Sequence, residues 1–524
     1  MVNNTIKASV TASSGTEYSF PEKTPEFLAS TSNCGICFSG GGTRSLAACM
    51  GQMRALNELG VLQNARYISC VSGGSWASAA YTYYRAGPAD DTELLGKDPG
   101  APEMREWGAE DWSNSLKTTH LGYPATADFA QTLKKNLEHK SHNEAWIDAV
   151  GEIYFRPYGL DSRHYFSYSS EVVNAIIREN TDLQPGLSAD QFILPRENRP
   201  FLIINATLLW PVEALHKVSR VLQQFTPLYV GNPFLLQLEE KYIFEKPTTM
   251  QTGGGFLDTF AFQSGGPNAA AGEWLEMPAP EEPFSIWHAS GISSSAYGYD
   301  AARVDFKSVV PQVNYWPVSE SDASQSIVAE QYISDGGNLE NLGIMALLQR
   351  QVETIVVFEN SNVPISKDEK GNVVIDSVVT SLFGVQNEAY PNNQVFEKDE
   401  LLPLLDALWQ AKTSGDLCVA QTVHNTVENS WYGIKHYRVK ILWVYNAPVD
   451  NWIAELSTEV QSDVHQGIKG EGPLTDFPNY KTLDEDGFLS IRLSAYQVST
   501  ISNMFSWSMQ KNAAAFRDFL PPAE

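Results

Sequence analysis

The sequence contains no long hydrophobic run. Nowhere in its 524 residues do about 18 apolar residues follow one another, so no transmembrane helix is predicted. The segment from Met1 to Phe20 is rich in Ser and Thr and lacks the apolar centre of a secretory signal. We therefore expect a cytoplasmic protein that contacts membranes only peripherally and transiently.

Cysteine is scarce, and an odd number of cysteines, five, predicts no disulfide framework. Cys34 and Cys37 have the C-x-x-C spacing of redox and metal sites, but no second pair and no nearby histidine accompanies them. Residues three apart on a strand also point to opposite faces, so we expect no shared site. The cysteines are predicted to be buried structural thiols, with no metal and no cofactor.

Basic residues are few in comparison with acidic ones. The chain has 62 Asp and Glu against 36 Lys and Arg, which gives a net charge of −26. Nucleic acid is not expected as a partner, because its phosphates would be repelled. A strongly anionic membrane is disfavoured for the same reason, and neutral or zwitterionic substrates are mildly favoured. The oligomeric state does not follow from these features.

Buried strands, glycine-rich turns and helices alternate near the start of the chain. Cys34–Phe38 and Arg66–Val71 are predicted strands, and each is followed by a glycine-containing turn and an apolar helix. This order predicts a parallel α/β sheet, in which right-handed crossovers bring both turns to one edge. Phe201–Leu209 predicts a further buried strand.

The remaining chain gives weaker signals. We predict a single large α/β domain over 1–524, in which 1–30 form a polar lead-in. Residues 212–285 are irregular and are predicted to be an insertion that covers the cleft as a cap or lid. The glycine triplet at 253–255 is assigned to a flexible loop, because no convincing strand precedes it.

A candidate nucleophile follows the second predicted strand. Ser72 lies in a run close to G-x-S-x-G, the pattern in which a sharp strand-to-helix turn exposes a serine hydroxyl. Gly74 supplies the last glycine, Gly73 adds backbone freedom, and Cys70 replaces the first glycine. Ser75 is the weaker candidate, since it lies where the helix has already begun and has no glycine two residues later.

Gly40, Gly41 and Gly42 follow the first predicted strand and form a candidate oxyanion hole. Consecutive glycines accept positive φ and present main-chain N–H groups to developing negative charge. A phosphate-binding loop would need a following Lys, and a dinucleotide fingerprint would need glycine where Ser45 stands. Arg44 is a candidate for assisting the oxyanion or binding a substrate phosphate, with a salt-bridged residue at the helix start as the alternative.

Asp335 is the candidate base. It follows a short predicted strand, and Gly336 and Gly337 then turn the chain. A carboxylate at a strand end lies at the rim where active sites gather, although capping the next helix is a common alternative role. Because a serine elbow, a glycine cradle and this carboxylate occur together, we favour an acyl hydrolase in which Asp335 accepts the proton of Ser72.

These stretches together resemble the patatin-like and cytosolic phospholipase A superfamily. Ser39–Arg44 is similar to the family's G-G-G-x-R segment, and Ser72–Trp76 is similar to its Ser-Gly-x-x-Trp run. Asp335–Gly337, with Asn341 and Gly343 beyond, is similar to its Asp-Gly-Gly run. The resemblance implies a three-layer α/β/α fold with a central, mostly parallel sheet and an inserted cap.

The resemblance also implies a function. It implies a lipid acyl hydrolase of the phospholipase A or lysophospholipase type, with a Ser72–Asp335 dyad and an acyl-enzyme intermediate. Burial of the aspartate would raise its proton affinity, which a dyad without histidine requires. Only about 33 residues precede the first predicted strand, so we expect no calcium-dependent lipid-binding module.

Two alternatives stay open. An α/β-hydrolase esterase would use the chain order serine, acid, histidine, which Ser72, Asp335 and one of His424, His436 or His465 would satisfy. A lipid-binding protein could instead keep the fold and lose turnover. The substrate itself, whether phospholipid, lysophospholipid or another acyl ester, does not follow from the residues.

Overall fold

Strands and helices alternate through most of the chain. The structure, a computed structural model, describes residues 5–523 except 14–17, 184–185, 211–218, 241–247, 268, 270, 304–306, 319–327 and 483–490. The strands in these ranges are β1 (Thr5–Ala12), β2 (Cys34–Phe38), β3 (Tyr67–Cys70), β4 (Tyr165–Phe166), β5 (Phe192–Ile193), β6 (Phe201–Trp210), β7 (Ser219–Phe225), β8 (Tyr229–Asn232), β9 (Leu236–Glu240), β10 (Thr248–Thr252), β11 (Gly255–Asp258), β12 (Gly272–Pro278), β13 (Gln312–Tyr315), β14 (Ala329–Asp335), β15 (Thr354–Glu359), β16 (Ser366–Lys367), β17 (Val373–Val374), β18 (Val419–Asn425) and β19 (Arg438–Tyr445).

The helices surround the strands and supply the outer layers. In the described ranges they are α1 (Pro25–Ser30), α2 (Gly42–Glu58), α3 (Gly73–Tyr83), α4 (Asp91–Leu95), α5 (Ala101–Glu106), α6 (Ala109–Ser115), α7 (Phe129–His139), α8 (His142–Val150), α9 (Ser170–Glu179), α10 (Ile286–Ser293), α11 (Gly298–Arg303), α12 (Ile344–Gln349), α13 (Ser377–Ser381), α14 (Leu401–Thr413), α15 (Asp450–Ile453), α16 (Thr458–Ile468), α17 (Ala495–Lys511) and α18 (Ala513–Phe519). No helix of the described chain is both long and apolar enough to cross a bilayer.

Thirteen strands of the described chain form one mixed sheet with a parallel centre. Strands β6, β3, β2, β15 and β19 are neighbours in that order, and each adjacent pair is parallel. Antiparallel strands extend the sheet on both sides, β18 beyond β19 and the series β7, β8, β11, β1, β12 beyond β6. The predicted α/β class is confirmed, and the predicted strand Cys34–Phe38 is β2.

Side chains alternate across the parallel strands and divide the core into two layers. Ile36 and Phe38 of β2 belong to one hydrophobic cluster, together with residues of α2, α3 and α17. Cys37 belongs to the other cluster, with residues of α12 and α14. The five cysteines are buried and unbonded to one another, which confirms the predicted structural thiols. Sheet and helices thus form the expected three layers.

The N-terminal segment differs from the predicted polar lead-in. Residues 5–12 form β1, which pairs antiparallel with both β11 and β12. Ile6, Ala8 and Val10 are buried at alternating positions, while the residues between them are more exposed. This period-two pattern is typical of a half-buried strand. The many Ser and Thr residues in the same segment make the pattern difficult to recognise in the sequence.

Residues 212–285 also differ from the predicted irregular insertion. They contribute β7, β8, β11 and β12 to the sheet, and Gly255 of the expected flexible loop is the first residue of β11. These strands have only four to seven residues each, and β11 and β12 pair with the distant β1, so local periodicity does not reveal them. Residues 211–218 and 241–247 lie outside the described residues, and a cap or lid role stays a prediction.

A buried ion pair ties the N-terminal segment to the core. Arg350, just after α12, donates from Nε to Glu22 Oε1 at 2.8 Å, and neither side chain is accessible to solvent. The Tyr229 hydroxyl donates to Glu22 Oε2 at 2.8 Å, and Gln224 accepts from the guanidinium at 2.8 Å. Both charges therefore have partners, as buried charges require.

Loss of one charge from this pair should be costly. We expect Glu22→Gln to lower the free energy of unfolding by about 3–5 kcal/mol, because it leaves a buried guanidinium without a counter-charge. Urea unfolding followed by tryptophan fluorescence measures the change. The pair Arg105–Glu455, whose arginine is exposed, provides the control, since Arg105→Gln should cost less than about 1 kcal/mol. Equal effects of the two variants would contradict this view of the core.

Candidate active site

The carboxyl ends of the central parallel strands meet at one edge of the sheet. Phe38 at the end of β2 pairs with Cys70 at the end of β3 and with Phe358 near the end of β15. The glycine run follows β2 and leads into α2, and the Ser72 turn follows β3 and leads into α3. Parallel pairing therefore brings these two turns side by side.

Ser72 adopts a strained conformation at this edge. Its φ is +51° and its ψ is −124°, in a region that non-glycine residues seldom occupy. Its N–H donates to Ser293 Oγ at 3.0 Å, and the Ser293 hydroxyl in turn donates to the carbonyl of Asn205 at 2.6 Å. The strained turn is thus held by the hydrogen bond that Ser72 donates to Ser293 at the end of α10.

The two glycines after Ser72 allow the close approach of neighbouring backbone. A Cβ on Gly73 would lie 2.1 Å from the Gly42 carbonyl oxygen, and one on Gly74 would lie 2.4 Å from the Phe38 carbonyl oxygen. Neither position accepts a larger residue without movement of the main chain. Cys70 is buried as the last residue of β3, so the absence of the first glycine of the pattern does not prevent the turn.

Ser75 lies outside this arrangement. Its side chain is fully buried, and its hydroxyl donates to the Ser72 carbonyl at 2.6 Å within the first turn of α3. The hydroxyl therefore contributes to the helix start, as the sequence comparison between the two serines anticipates.

Asp335 reaches the same edge from a strand of the opposite direction. It ends β14, which pairs antiparallel with β6 so that Asp335 lies opposite Ala206. Strand β7 covers the other side of β6 from Ile204 onward, so β14 must lie on the side of β3 and continue where β3 stops. The two strands meet end to end, and this brings Asp335 to the Ser72 turn.

The Asp335 carboxyl is buried and has few partners. It accepts a hydrogen bond from the Gly337 N–H at 2.6 Å, and it interacts with the Ser72 hydroxyl. Burial raises its pKa to about 7, although both of these contacts favour the charged form. No described Lys, Arg or His forms an ion pair with it. The group is therefore a much better proton acceptor than a solvated aspartate near neutral pH.

Gly336 and Gly337 form the turn that follows Asp335. A Cβ on Gly336 would lie 2.5 Å from the Asn205 carbonyl oxygen, and one on Gly337 would lie 2.6 Å from Asn341 Oδ1. Asn341 thus packs against this turn, and its carbonyl also accepts the Gly40 N–H at 2.9 Å. One residue therefore connects the aspartate turn with the glycine run.

The glycine run lies beside Ser72, but its three N–H groups are not equivalent. A Cβ on Gly40 would lie 3.1 Å from Ser72 Cβ, so the loop and the serine are in contact range. The Gly40 N–H is engaged by Asn341, so it is not free as the predicted third donor. Gly41 and Gly42 have φ of +130° and +55°, and no acceptor for their N–H groups occurs within the described chain. The Gly73 N–H, at the start of α3, is also without an acceptor there.

Arg44 is buried beside the glycine run, and a Cβ on Gly41 would lie 2.6 Å from its Nη2. Its side chain is buried, its Nε donates to the Asn360 carbonyl at 2.7 Å, and its Nη1 donates to the Tyr480 carbonyl. Burial lowers its pKa to about 10. The guanidinium thus links α2 to two distant segments, whose carbonyls need a donor in the interior, and an oxyanion or phosphate contact of Arg44 stays a prediction.

The histidines proposed for a triad have other partners. His424 Nδ1 lies 2.7 Å from Glu400, and its Nε2 lies 2.7 Å from the Thr422 hydroxyl. His436 Nδ1 lies against the Thr426 carbonyl, and His465 is exposed in the last turn of α16. Across the described ranges, no histidine forms a hydrogen bond or ion pair with Ser72 or Asp335.

Several supporting residues are not found from the sequence. Ser293 lies in a serine-rich run with no characteristic spacing. Asn205 and Thr207 are polar residues inside the apolar β6, and that contrast was an available signal. Asn205 donates to Ser69 Oγ at 2.9 Å, and the Thr207 hydroxyl donates to the Asp335 carbonyl at 2.7 Å. These polar groups in β6 secure the strands that carry the serine and the aspartate.

The arrangement combines a hydroxyl, a proton acceptor and unoccupied N–H groups. A serine whose proton has an acceptor is capable of nucleophilic attack, and nearby N–H groups stabilise an oxyanion. Among the described residues, no cluster of three or more His, Cys, Asp or Glu could hold a metal ion.

Comparison with solved structures gives only distant similarities. Human GIVD cytosolic phospholipase A2 is 12% identical with a TM-score of 0.45, over 96% of this chain and 61% of that one. VipD from Legionella pneumophila is 9% identical with a TM-score of 0.28, over 92% of this chain and 67% of that one.

Comparison of sequences is more informative. Lysophospholipase 2 from Candida albicans is 24% identical over 363 residues, which cover 64% of this chain and 54% of that protein. The chain thus spans about half the length of this curated relative. Residues 36–196 match the family model of patatin-like phospholipase. The resemblance indicated by the motifs is therefore confirmed for residues 36–196, which include the glycine run and the Ser72 turn.

Proposed function

We propose that the chain is a lipid acyl hydrolase that cleaves carboxylic esters with Ser72 as nucleophile and Asp335 as base. The observation that most supports this is the meeting of β3 and β14, which brings a strained serine to a buried carboxyl with a pKa of about 7. The match to the patatin-like phospholipase family supports the same class of reaction.

In the proposed first step, Ser72 Oγ attacks the carbonyl carbon of the ester and Asp335 accepts its proton. The carbonyl electron pair moves to oxygen, where the N–H groups of Gly41, Gly42 and Gly73 would stabilise it by on the order of 3 kcal/mol each. Gly40 is omitted from this cradle, since its N–H already binds Asn341. The tetrahedral intermediate then collapses, and Asp335 gives its proton to the departing alcohol oxygen.

The second proposed step releases the acyl group. Water attacks the acyl-Ser72 carbonyl carbon, Asp335 accepts a proton from that water, and the proton returns to Ser72 Oγ as the fatty acid leaves. No step needs a metal or a cofactor. The aspartate acts first as base and then as acid, so its pKa must lie near the working pH.

The proposed substrates are phospholipids or lysophospholipids. The family match and the lysophospholipase of Candida albicans support a lipid ester. The net charge of −26 favours substrates that are neutral or zwitterionic over anionic ones. Such lipids reside in membranes, so brief contact with a membrane surface is part of the proposal.

Removal of either member of the dyad should stop the reaction. We expect Ser72→Ala to abolish both ester hydrolysis and labelling by a fluorophosphonate probe. Asp335→Asn should lower kcat by about 10³-fold, because the serine loses its proton acceptor. Hydrolysis of a panel of phospholipid, lysophospholipid and simple acyl esters measures both.

Histidine variants are the matched controls for the dyad. His424→Ala, His436→Ala and His465→Ala should each keep the wild-type rate. Loss of activity in one of them would instead favour a triad. Absence of hydrolysis and of labelling in the wild-type protein would favour a lipid-binding protein without turnover.

The pH dependence of labelling should follow ionisation of Asp335. Only the charged carboxylate accepts the serine proton, so the labelling rate should fall by about tenfold per pH unit below a pKa of about 7 and level off above it. Rates of fluorophosphonate labelling across about pH 5 to 9 measure this without the deacylation step. A limb near pH 4, as for a solvated aspartate, would contradict the proposed base.

The hydrogen bond from Ser72 to Ser293 should matter for reactivity more than for stability. We expect Ser293→Ala to slow labelling of Ser72 by about tenfold, because the strained turn loses its acceptor. Ser295→Ala is the matched control, since that hydroxyl donates only to the nearby Ile292 carbonyl. An equal loss of labelling in both variants would remove Ser293 from the positioning of the turn.

A further inference from the structure

A cavity lies away from the Ser72 edge. It has a volume of about 730 Å³ and is bounded by β1, β8 and β11 of the antiparallel flank, by α9, and by the segment around α1. Neither the Ser72 turn, the glycine run nor the Asp335 turn contributes to its wall. Its volume is in the range of small-molecule sites in proteins.

Eight of the 24 residues that line this cavity are aromatic. They include Phe27, Tyr168, Tyr229, Phe256, Phe260 and Trp274. Several of these rings pack on one another, as Tyr229 and Phe256 do at a centroid distance of 4.3 Å and Phe27 and Tyr168 at 6.3 Å. Aromatic faces carry negative charge density and attract cations, in addition to apolar groups.

The charged groups in the wall are all acidic. Glu22, Glu26, Glu171 and Asp258 line the cavity, and no Lys, Arg or His does so among the described residues. Glu22 is neutralised by Arg350, and Glu26 and Glu171 are exposed. The lining therefore repels anions and leaves an unbalanced negative charge.

Among the four acidic residues, Asp258 contributes most to the negative charge of the cavity lining. Its Oδ2 accepts the Ser9 N–H at 2.7 Å, and no described cation forms an ion pair with it. The side chain is half-buried at the cavity wall, and the desolvation raises its pKa to about 7. A carboxyl that is both desolvated and without a counter-charge gains strongly from a bound cation.

We propose that this cavity binds an organic cation with an apolar body, of the alkylammonium class, with the ammonium at Asp258 and the apolar part on the aromatic walls. A fatty acid would bring its carboxylate among like charges. A phosphocholine would bring a phosphate close to them as well. Charge complementarity therefore selects the cation among amphiphiles of the same chain length.

Calorimetric titration of three decyl ligands tests the proposal directly. The protein carries Ser72→Ala, so that turnover at the other site plays no part. Decyltrimethylammonium, decanoate and decylphosphocholine are compared below their micelle concentrations. We expect decyltrimethylammonium to bind and Asp258→Asn to weaken it by about tenfold. Glu369→Gln, in an exposed turn, removes the same charge elsewhere and should leave the affinity unchanged.

Several outcomes would overturn the proposal. The first is equal affinity of decyltrimethylammonium for the Asp258→Asn and parent proteins. The second is a loss of affinity in Glu369→Gln equal to that in Asp258→Asn. The third is binding of decanoate or decylphosphocholine that Asp258→Asn abolishes. Asn keeps an acceptor for the Ser9 N–H, so the variant should fold, and thermal unfolding checks this. If Asp258→Asn does not fold, the variant Tyr168→Leu is used, which keeps an apolar side chain but removes the aromatic face. About threefold weaker binding of decyltrimethylammonium supports the site, and unchanged binding overturns it.

Discussion

The pairing of β14 with the distal half of β6 is the contact on which the candidate site depends. Strand β6 has ten residues, and β3 uses only the first four of them on that side. β14 fills the remaining edge in the reverse direction, so its last residue points back toward the end of β3. Ser72 and Asp335 lie 263 residues apart in sequence and meet because both strands share this one neighbour.

Glu22 and Asp335 are both buried carboxyls, and the cost of removing each from water is met in a different way. Glu22 lies against Arg350 and serves the core, whereas Asp335 has no cation beside it and keeps a pKa of about 7. An aspartate in the unfolded chain has a pKa of about 3.9, so the folded protein binds the proton more tightly. Its contribution to stability is therefore present at low pH and is lost as the pH rises from about 4 to about 7. Burial of Asp335 is the cause of this loss of stability, and it is also the cause of the basicity that the proposed mechanism needs.

Local patterns in the sequence predict the turns that carry Gly41 and Ser72, but they predict little of how β14 brings Asp335 to them. The strands and turns around Gly41 and Ser72 follow from short apolar runs that end in glycines, and the layers follow from their alternation. The direction of β14 is not a local property, because it is determined by the free edge of a strand more than a hundred residues away. The pairing of β1 with β11 and β12 could not be predicted for the same reason. Arg44 shows the limit of a motif, since two of its guanidinium nitrogens bind the carbonyls of Asn360 and Tyr480, which lie far from the motif in sequence.

The order of these elements along the chain has a consequence during synthesis. The serine turn and the glycine run leave the ribosome early, but the aspartate follows only 263 residues later. At about 5–20 residues per second, that interval is roughly 13–50 s. On the proposed mechanism the nascent chain is inert toward cellular lipids throughout this interval, and hydrolytic competence arrives only with β14.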